Sequence, residues 1–404
     1  MKTVLTSLLL SLAVFPARAQ APAVPPSGAE GLPVSSGRCG VCHPAERVLF
    51  EKSQHAQEEV RCVSCHGGDD RSLDARVAHG GKVRIARKDI PAMCASCHAS
   101  EERMRPYNLP VDQYALYQIS GHGRRLAKGD LRVAVCSDCH GAHDILPPKD
   151  PASSLYVLNI PRTCGRCHGD PALLKERGLP DNFHKYERSV HARALEQKGN
   201  LRAPTCVSCH GVHGAAPPNV GDVDKVCGQC HTAERRYYAA GTHAIARGGR
   251  RPECVDCHDA HGVQSAQPER FATSCALCHE GNRQRIQLGQ TIWTDYRTAA
   301  AEVDKAAALV VKADAVPIHT DDYRARIEEA RTYLREALPA AHAVQTEVVA
   351  GFTTRARALG QEVQREIETK LANLRTHKFL LILFWFYVLL TLYVLKRFRD
   401  QAAR

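Results

Sequence analysis

The chain has 404 residues, with 54 Lys and Arg against 43 Asp and Glu, a formal net charge of +11, and 18 cysteines. A positive excess of this size suits a nucleic-acid partner. The N-terminus carries an export signal, which excludes a nucleic-acid partner, so we expect the basic side chains to meet acidic groups outside the cytoplasm.

The N-terminus has the pattern of a secretory signal peptide. Lys2 precedes an apolar run over residues 4–15, and small residues then suit cleavage before Gln20. We predict a signal peptide over residues 1–19 and a flexible linker, rich in Pro, Ala, Ser and Gly, over residues 20–37. The alternative is a retained N-terminal anchor, although this apolar run is too short to span a bilayer.

All 18 cysteines fall in nine copies of Cys-x-x-Cys-His, and none is left over. This pattern is the attachment signature of a c-type haem: two thiols bind one porphyrin, and the histidine takes one axial face of the iron. Half a zinc site and a redox disulfide share the cysteine spacing, but neither needs the histidine every time. We therefore predict nine covalently attached haem c groups in a domain over residues 38–283. We expect this domain to be mainly α-helical with extensive loops, and its core to be formed by the haems.

The residues assigned to these haems follow from the motif. The predicted thioether cysteines are Cys39, Cys42, Cys62, Cys65, Cys94, Cys97, Cys136, Cys139, Cys164, Cys167, Cys206, Cys209, Cys227, Cys230, Cys254, Cys257, Cys275 and Cys278. The predicted proximal iron ligands are His43, His66, His98, His140, His168, His210, His231, His258 and His279.

An internal repeat supplies candidates for the other axial face. Three units contain a lone histidine, then Cys-x-x-Cys-His-x-x-His, then a second Cys-x-x-Cys-His. Nine irons closed on both faces need nine distal ligands. Eight histidines recur at equivalent places, and we predict them as distal ligands: His55, His79, His122, His143, His191, His213, His243 and His261. The ninth distal ligand is His184, His342 or His319, or else one iron is open.

The doubled units, such as Cys136–His143 and Cys206–His213, resemble those of the class III, or cytochrome c3-like, multihaem c-type cytochromes. The resemblance covers roughly residues 38–283. It implies closely packed low-spin haems that form a chain for electrons.

The composition changes after the last motif. Residues 284–377 contain no cysteine and are rich in Ala, Glu, Arg and Leu, which predicts a helical stalk. We expect one helix over Thr291–Ala313, a second that Thr320 caps and Pro339 interrupts, and a third that continues from Pro339 into the membrane.

The third helix carries an apolar stripe on one face, which needs a partner. The partner is either the first two helices of the same chain or a second copy in a coiled coil. The stripe consists of Leu359, Val363, Ile367, Leu371 and Leu374.

The uncharged stretch Phe379–Leu395 predicts a transmembrane helix over residues 378–396. At 1.5 Å per residue it covers about 26 Å, the short end of a bilayer core; a buried soluble helix is the alternative. Basic residues from Lys396 onward suit a cytoplasmic tail over residues 397–404. We therefore expect a periplasmic domain anchored at the periplasmic face of the bacterial inner membrane.

An iron with histidine on both faces passes electrons but cannot bind a substrate. The leading hypothesis is an electron-transfer protein without catalytic residues. It would take electrons from the quinol pool or a membrane-bound donor and pass them to periplasmic redox proteins. A cytochrome b or an iron–sulfur subunit would fit as the membrane partner. The alternative is a terminal reductase of a small nitrogen or sulfur oxyanion that uses one open haem.

Overall fold

The computed structural model describes residues 36–81, 84–217, 222–245, 251–265 and 267–403. The predicted signal peptide and nearly all of the predicted linker lie outside these residues. The described residues form helices and loops without a strand, so the mainly α-helical fold class is confirmed.

The chain divides into two compact units, and the first comprises the residues up to Ile85 together with His143–Ile145. The later segment is held by the N–H of Gln54, which donates to the carbonyl of Ile145 at 2.8 Å. The helices of this unit are α1 (Cys39–Cys42), α2 (Pro44–Phe50), α3 (Gln54–Gln57), α4 (Cys62–His66) and α5 (Ala75–Ala78).

The second unit comprises Ala86–Ala142 and the chain from Leu146 onward. Its first part consists of short helices joined by loops: α6 (Ile90–His98), α7 (Glu101–Met104), α8 (Gln113–Ile119), α9 (Gly121–Ala127), α10 (Cys136–His140), α11 (Ile160–His168), α12 (Pro171–Arg177), α13 (Asn182–Glu187), α14 (Val190–Glu196), α15 (Cys206–His210), α16 (Val223–Cys227), α17 (Thr232–Ala240), α18 (Cys254–His258) and α19 (Arg270–Thr273). Short 3-10 turns lie at Arg87–Asp89, Arg105–Tyr107, Ser274–Leu277 and Ala341–Ala343.

Three long helices complete the second unit: α20 (Arg283–Asp314), α21 (Asp321–Ala340) and α22 (Thr346–Ala402). They pack on one another as an up-down-up bundle, called the bundle below, whose third member extends beyond the other two. The first predicted helix is present, but it begins at Arg283 instead of Thr291.

The apolar stripe on α22 faces the inside of the bundle. Val363 and Ile367 are fully buried, and Leu359 and Leu371 pack against the same core. The other helices of the same chain therefore provide the partner. That core is formed by Ala299, Val303, Ala306, Val310, Ala313, Tyr323, Ile327, Ala330, Leu334, Ala356, Val363 and Ile367.

Two details of the predicted helix ends are wrong. Thr320 does precede α21, but its hydroxyl donates to Asp314 instead of capping the helix. Pro339 lies in the last turn of α21, and α22 does not continue from it. The 3-10 turn follows, and then Val344 adopts the left-handed conformation with φ 54° before α22 begins at Thr346. A β-branched residue rarely adopts that conformation, so this connection is strongly constrained.

The predicted membrane segment lies in the second half of α22. In the part of the chain that the structure describes, α22 is the one helix long and apolar enough to cross a membrane. Apart from the partly exposed Val388, its large apolar side chains from Phe379 to Phe398 are exposed. Exposed apolar side chains over this length suit lipid as the surrounding medium.

We predict that Ile367→Ala weakens the bundle. Ile367 is fully buried, and removing such a side chain costs about 2–5 kcal/mol because it leaves a cavity. Denaturant unfolding followed by far-UV circular dichroism measures this loss. Val311→Ala, at an exposed position of the same bundle, should change the free energy of unfolding by no more than about 0.5 kcal/mol. Equal effects of the two substitutions would contradict this packing.

The bundle also contains an ion pair with a defined pH dependence. Arg326 on α21 donates to both carboxylate oxygens of Glu366 on α22 at 2.9 Å. These hydrogen bonds lower the pKa of Glu366 from 4.5 to about 2. Because the folded-state pKa is the lower one, the stabilisation is complete above pH 4.5 and is lost as the pH falls towards 2.

We therefore predict that the melting temperatures of wild type and Glu366→Gln differ near neutral pH. The difference should shrink between pH 4.5 and 2. Thermal melts across this range test the prediction, with Glu368→Gln, at an exposed position of the same helix, as the matched control. A difference that is independent of pH would contradict it.

Candidate haem-binding sites

Four of the nine motifs form a helix of five residues that begins at the first cysteine and ends at the histidine: α4, α10, α15 and α18. The second residue between the cysteines is Ser or Asp, and its side chain accepts the N–H of the residue before the motif. The donor and acceptor residues are Arg61 and Ser64, Val135 and Asp138, Thr205 and Ser208, and Glu253 and Asp256, at 2.7–3.2 Å. One helical turn therefore brings both thiols and the imidazole of a motif together.

A residue with positive φ ends each of these turns. It is Gly67, Gly141 and Gly211 in three motifs and Asp259 in the fourth. Glycine adopts this conformation at little cost, so it turns the chain sharply after the histidine. In α6 and α11 the motif instead forms the end of a longer helix.

Three lone histidines, His55, His122 and His191, lie in the first turn of short helices. In three cases a fully buried serine two residues before the histidine accepts a backbone N–H and caps the helix. The serines are Ser53 before His55, Ser120 before His122 and Ser189 before His191. Sequence reasoning missed these serines, although the recurring Ser-x-His spacing was a signal for them.

A second recurring contact also escaped sequence reasoning. A tyrosine three residues before the capping position donates its hydroxyl to the carbonyl two residues before the next motif. The pairs are Tyr117 with Ala134, Tyr186 with Pro204 and Tyr238 with Pro252, at 2.7–3.0 Å. Each tyrosine therefore ties the helix that precedes a lone histidine to the start of the following motif.

The structure places eight proximal histidines opposite a candidate distal histidine. In eight pairs the ring centres are 5.8–6.4 Å apart: His43 with His79, His66 with His143, His140 with His213, His168 with His122, His210 with His261, His231 with His191, His258 with His342, and His279 with His243. The histidine of Cys-x-x-Cys-His-x-x-His is thus beside the proximal histidine of an earlier motif. Its partner does not come from its own motif.

This separation can be tested against the size of an iron site. Metal–imidazole nitrogen bonds are about 2.0–2.1 Å long, and a ring nitrogen is about 1 Å from its ring centre, so two imidazoles on one iron have centres about 6 Å apart. Direct ring stacking would allow a closer approach. The paired histidines therefore fit the axial ligands of a six-coordinate haem iron.

Hydrogen bonds and burial keep several of these imidazoles in the form that binds metal. Nδ1 of His210 is 3.1 Å from the carbonyl oxygen of Ala216, so its proton is held there and Nε2 is left for a ligand. Burial lowers the pKa of His122, His168, His191, His213, His243, His258 and His261. A lowered pKa favours the neutral imidazole.

The remaining predicted ligands have other surroundings. Both ring nitrogens of His184 face carboxylates, with Nδ1 2.8 Å from Asp181 and Nε2 3.9 Å from Glu187. The side chain of His319 is 84% exposed. His55 and His98 also interact with other residues.

The cysteines of successive motifs adjoin one another. First-position thiols are close enough to affect each other's pKa in four pairs: Cys39 with Cys62, Cys94 with Cys136, Cys164 with Cys206, and Cys227 with Cys254. Burial and the neighbouring Cys164 raise the pKa of Cys139 to about 11. Cys209 and Cys257 likewise interact with cysteines of the following motif, Cys230 and Cys278. Within the second unit, the motifs from Cys94 to Cys275 therefore follow one another in chain order.

All 18 cysteines are free in the structure, as two thioether bonds per haem require. Their side chains are partly or largely accessible, and none is fully buried. The thiols and paired histidines are therefore open to a group that would lie between them.

No protein-family model matches the chain, and no solved structure matches it. The chain is similar to the multiheme cytochrome MtrA of Shewanella baltica (strain OS185), with 24% identity over 213 residues. The match covers 48% of this chain and 55% of that protein, so the chain spans about half the length of this relative. The similarity supports the resemblance to multihaem cytochromes that the repeated motifs indicate.

We predict that Ser189→Ala destabilises the haem region, which is the predicted haem domain over residues 38–283. Its hydroxyl caps α14 from a fully buried position, and loss of such a cap costs about 1 kcal/mol. The free energy of unfolding, measured with denaturant, checks the loss. Ser265→Ala, at an exposed loop position, is the control and should change it by less than about 0.5 kcal/mol. An unchanged stability of the Ser189 variant would contradict the role of the cap.

Proposed function

We propose that this chain is a membrane-anchored multihaem c-type cytochrome that relays electrons. The observation that carries the proposal is the set of histidine pairs whose ring centres are 5.8–6.4 Å apart. The likeness to a multiheme cytochrome supports it. Each bound haem c supplies an iron that takes up and releases one electron.

The nine Cys-x-x-Cys-His copies would hold nine haems through their thiols and proximal histidines. The facing histidines would hold the second axial position and keep substrates away from the metal. His98 keeps its assignment from the sequence as a proximal ligand, and His55 keeps its assignment as a distal ligand. A site closed on both faces suits electron transfer and does not suit bond-making chemistry, so we favour a conduit over a reductase.

The order of the sites supports a relay along the chain. Thiols of consecutive motifs adjoin each other from Cys94 through Cys257 and Cys278 in the second unit. Electron transfer weakens steeply with distance, so neighbouring sites exchange electrons much faster than remote ones. The favoured route therefore follows the sequence.

The length of the bundle bears on the electron donor. Gly289, near the start of α20, adjoins the thiol of Cys275, and the first turn of α22 packs beside this end of the bundle. From Thr346 to Lys378 the continuous helix α22 rises about 48 Å at 1.5 Å per residue. The last motifs are thus far from the predicted membrane segment.

We infer that the donor at the periplasmic face of the inner membrane carries its own redox centre across this distance. A cytochrome b or an iron–sulfur subunit fits this requirement better than direct contact with quinol at the bilayer. Periplasmic redox proteins are the proposed acceptors.

The proposal predicts the haem content and the spin state of the purified protein. Mass spectrometry of the exported chain should show nine covalently bound haems and cleavage before Gln20. Electron paramagnetic resonance of the oxidised protein should show low-spin iron that does not respond to nitrite or cyanide. A polypeptide without haem would overturn the proposal, and a substantial high-spin signal that responds to nitrite would favour the terminal reductase.

A further inference from the structure

The connection between α21 and α22 brings a histidine of the bundle to the haem region. The ring of His342 faces that of His258, with centres 6.0 Å apart and an angle of 23° between the planes. Its geometry matches that of the pairs formed within the haem region. His342 itself belongs to no Cys-x-x-Cys-His motif and lies 63 residues beyond the last one, at His279.

Backbone hydrogen bonds show that His342 occupies a repeated position. In three places a backbone hydrogen bond joins a lone histidine's helix to a Cys-x-x-Cys-His-x-x-His segment. The donor is the N–H of the residue just before the lone histidine. The acceptor is the carbonyl of the second residue after the final histidine of the segment. These bonds join Gln54 to Ile145, Gly121 to Ala215, and Val190 to Val263, at 2.8–3.1 Å. In the fourth place the N–H of Thr242, before His243, donates to Ala343, which directly follows His342, at 3.2 Å.

His143, His213 and His261 thus precede the acceptors in the first three places, and His342 does so in the fourth. Each of the first three faces the proximal histidine two motifs earlier: His66, His140 and His210. No tenth motif follows Cys275 to continue this series. The connection between α21 and α22 provides the next histidine of this series, His342.

The local structure orients the imidazole of His342 for this role. Its Nδ1 is 3.1 Å from the carbonyl oxygen of Pro339, so the proton is held there and Nε2 is left for a metal. The ring of Phe271 packs almost at right angles to that of His342. On the other side of the loop, a Cβ atom on Gly241 would lie 2.6 Å from the carbonyl oxygen of Ala343. Ser53, Ser120 and Ser189 each lie two residues before a lone histidine. Gly241 holds the same position before His243, and this close contact explains why it is glycine and not serine.

We propose that His342 is the distal ligand of the haem attached at Cys254 and Cys257, opposite His258. The bundle then acts as a ligand donor to the haem region as well as a link to the membrane. This inference rests on the proposed function, since it requires haem at that motif. His184 and His319, the other candidates, have carboxylate neighbours or an exposed side chain.

The test uses the full-length exported chain in detergent. His342→Ala should keep all its haems but convert one of the nine from low-spin to high-spin iron, seen by electron paramagnetic resonance. That haem should bind cyanide, and added imidazole should restore the low-spin signal. His184→Ala and His319→Ala are matched controls and should leave every haem low-spin.

A second variant keeps the test informative if the first fails to fold. His342→Met keeps an axial ligand but exchanges imidazole for a thioether, which raises the reduction potential of the haem that it binds. Redox titration should therefore show one haem shifted upward and the others unchanged. Fully low-spin iron in His342→Ala, or an unshifted titration in His342→Met, would overturn the inference. Wild-type protein without haem would instead overturn the proposed function.

Discussion

Two imidazoles from remote parts of the chain must face each other at a separation of about 6 Å, and the haem region depends on this constraint. His140 and His213 are 73 residues apart, and His258 and His342 are 84 residues apart. The entropic cost of closing such loops grows only slowly with their length, so distant ligands are scarcely harder to bring together than near ones. A metal bond at each junction would offset that cost, which is why short helices and loops suffice as a scaffold.

The distribution of buried apolar side chains agrees with this view. Both apolar clusters found among the described residues involve the bundle, around Val303 and Ile367 in one and Ile292 and Val349 in the other. The haem region has only scattered buried residues, such as Val135 and Leu195. Its short helices therefore lack a continuous protein core, as the sequence predicted. A cofactor-filled interior would explain how so many one-turn helices are held in place.

The parts of the site that the sequence can address are those set by local geometry. A Cys-x-x-Cys-His motif fits one helical turn, so spacing alone is enough to predict which thiols and which imidazole would hold one haem. Distal ligands depend on tertiary pairing, and counting histidines left His184, His342, His319 and an open iron as alternatives. The backbone hydrogen bond from Thr242 to Ala343 favours His342, and no sequence pattern encodes that bond.

The early start of α20 has a similar explanation. Gly289 weakens the helical pattern near Arg283, yet a Cβ there would lie 2.2 Å from the carbonyl oxygen of Phe271 and 2.6 Å from the thiol of Cys275. Close packing against the last motif requires glycine at this point, at a cost in helix propensity of about 1 kcal/mol. Propensity alone therefore places the helix start too late, because it cannot register the contact that the glycine permits.

The same end of the bundle contacts the last motif through Gly289 and the preceding haem site through His342. His342 belongs to the bundle and would also be an iron ligand. Binding of haem at that site would therefore fix the bundle against the haem region. From this junction α22 runs without a break to the membrane segment. Under the proposed function, this continuous helix would keep the last motifs at a set distance from the bilayer. A partner at the membrane would then have to match that distance, so the length of the bundle would help to determine which donor can deliver electrons.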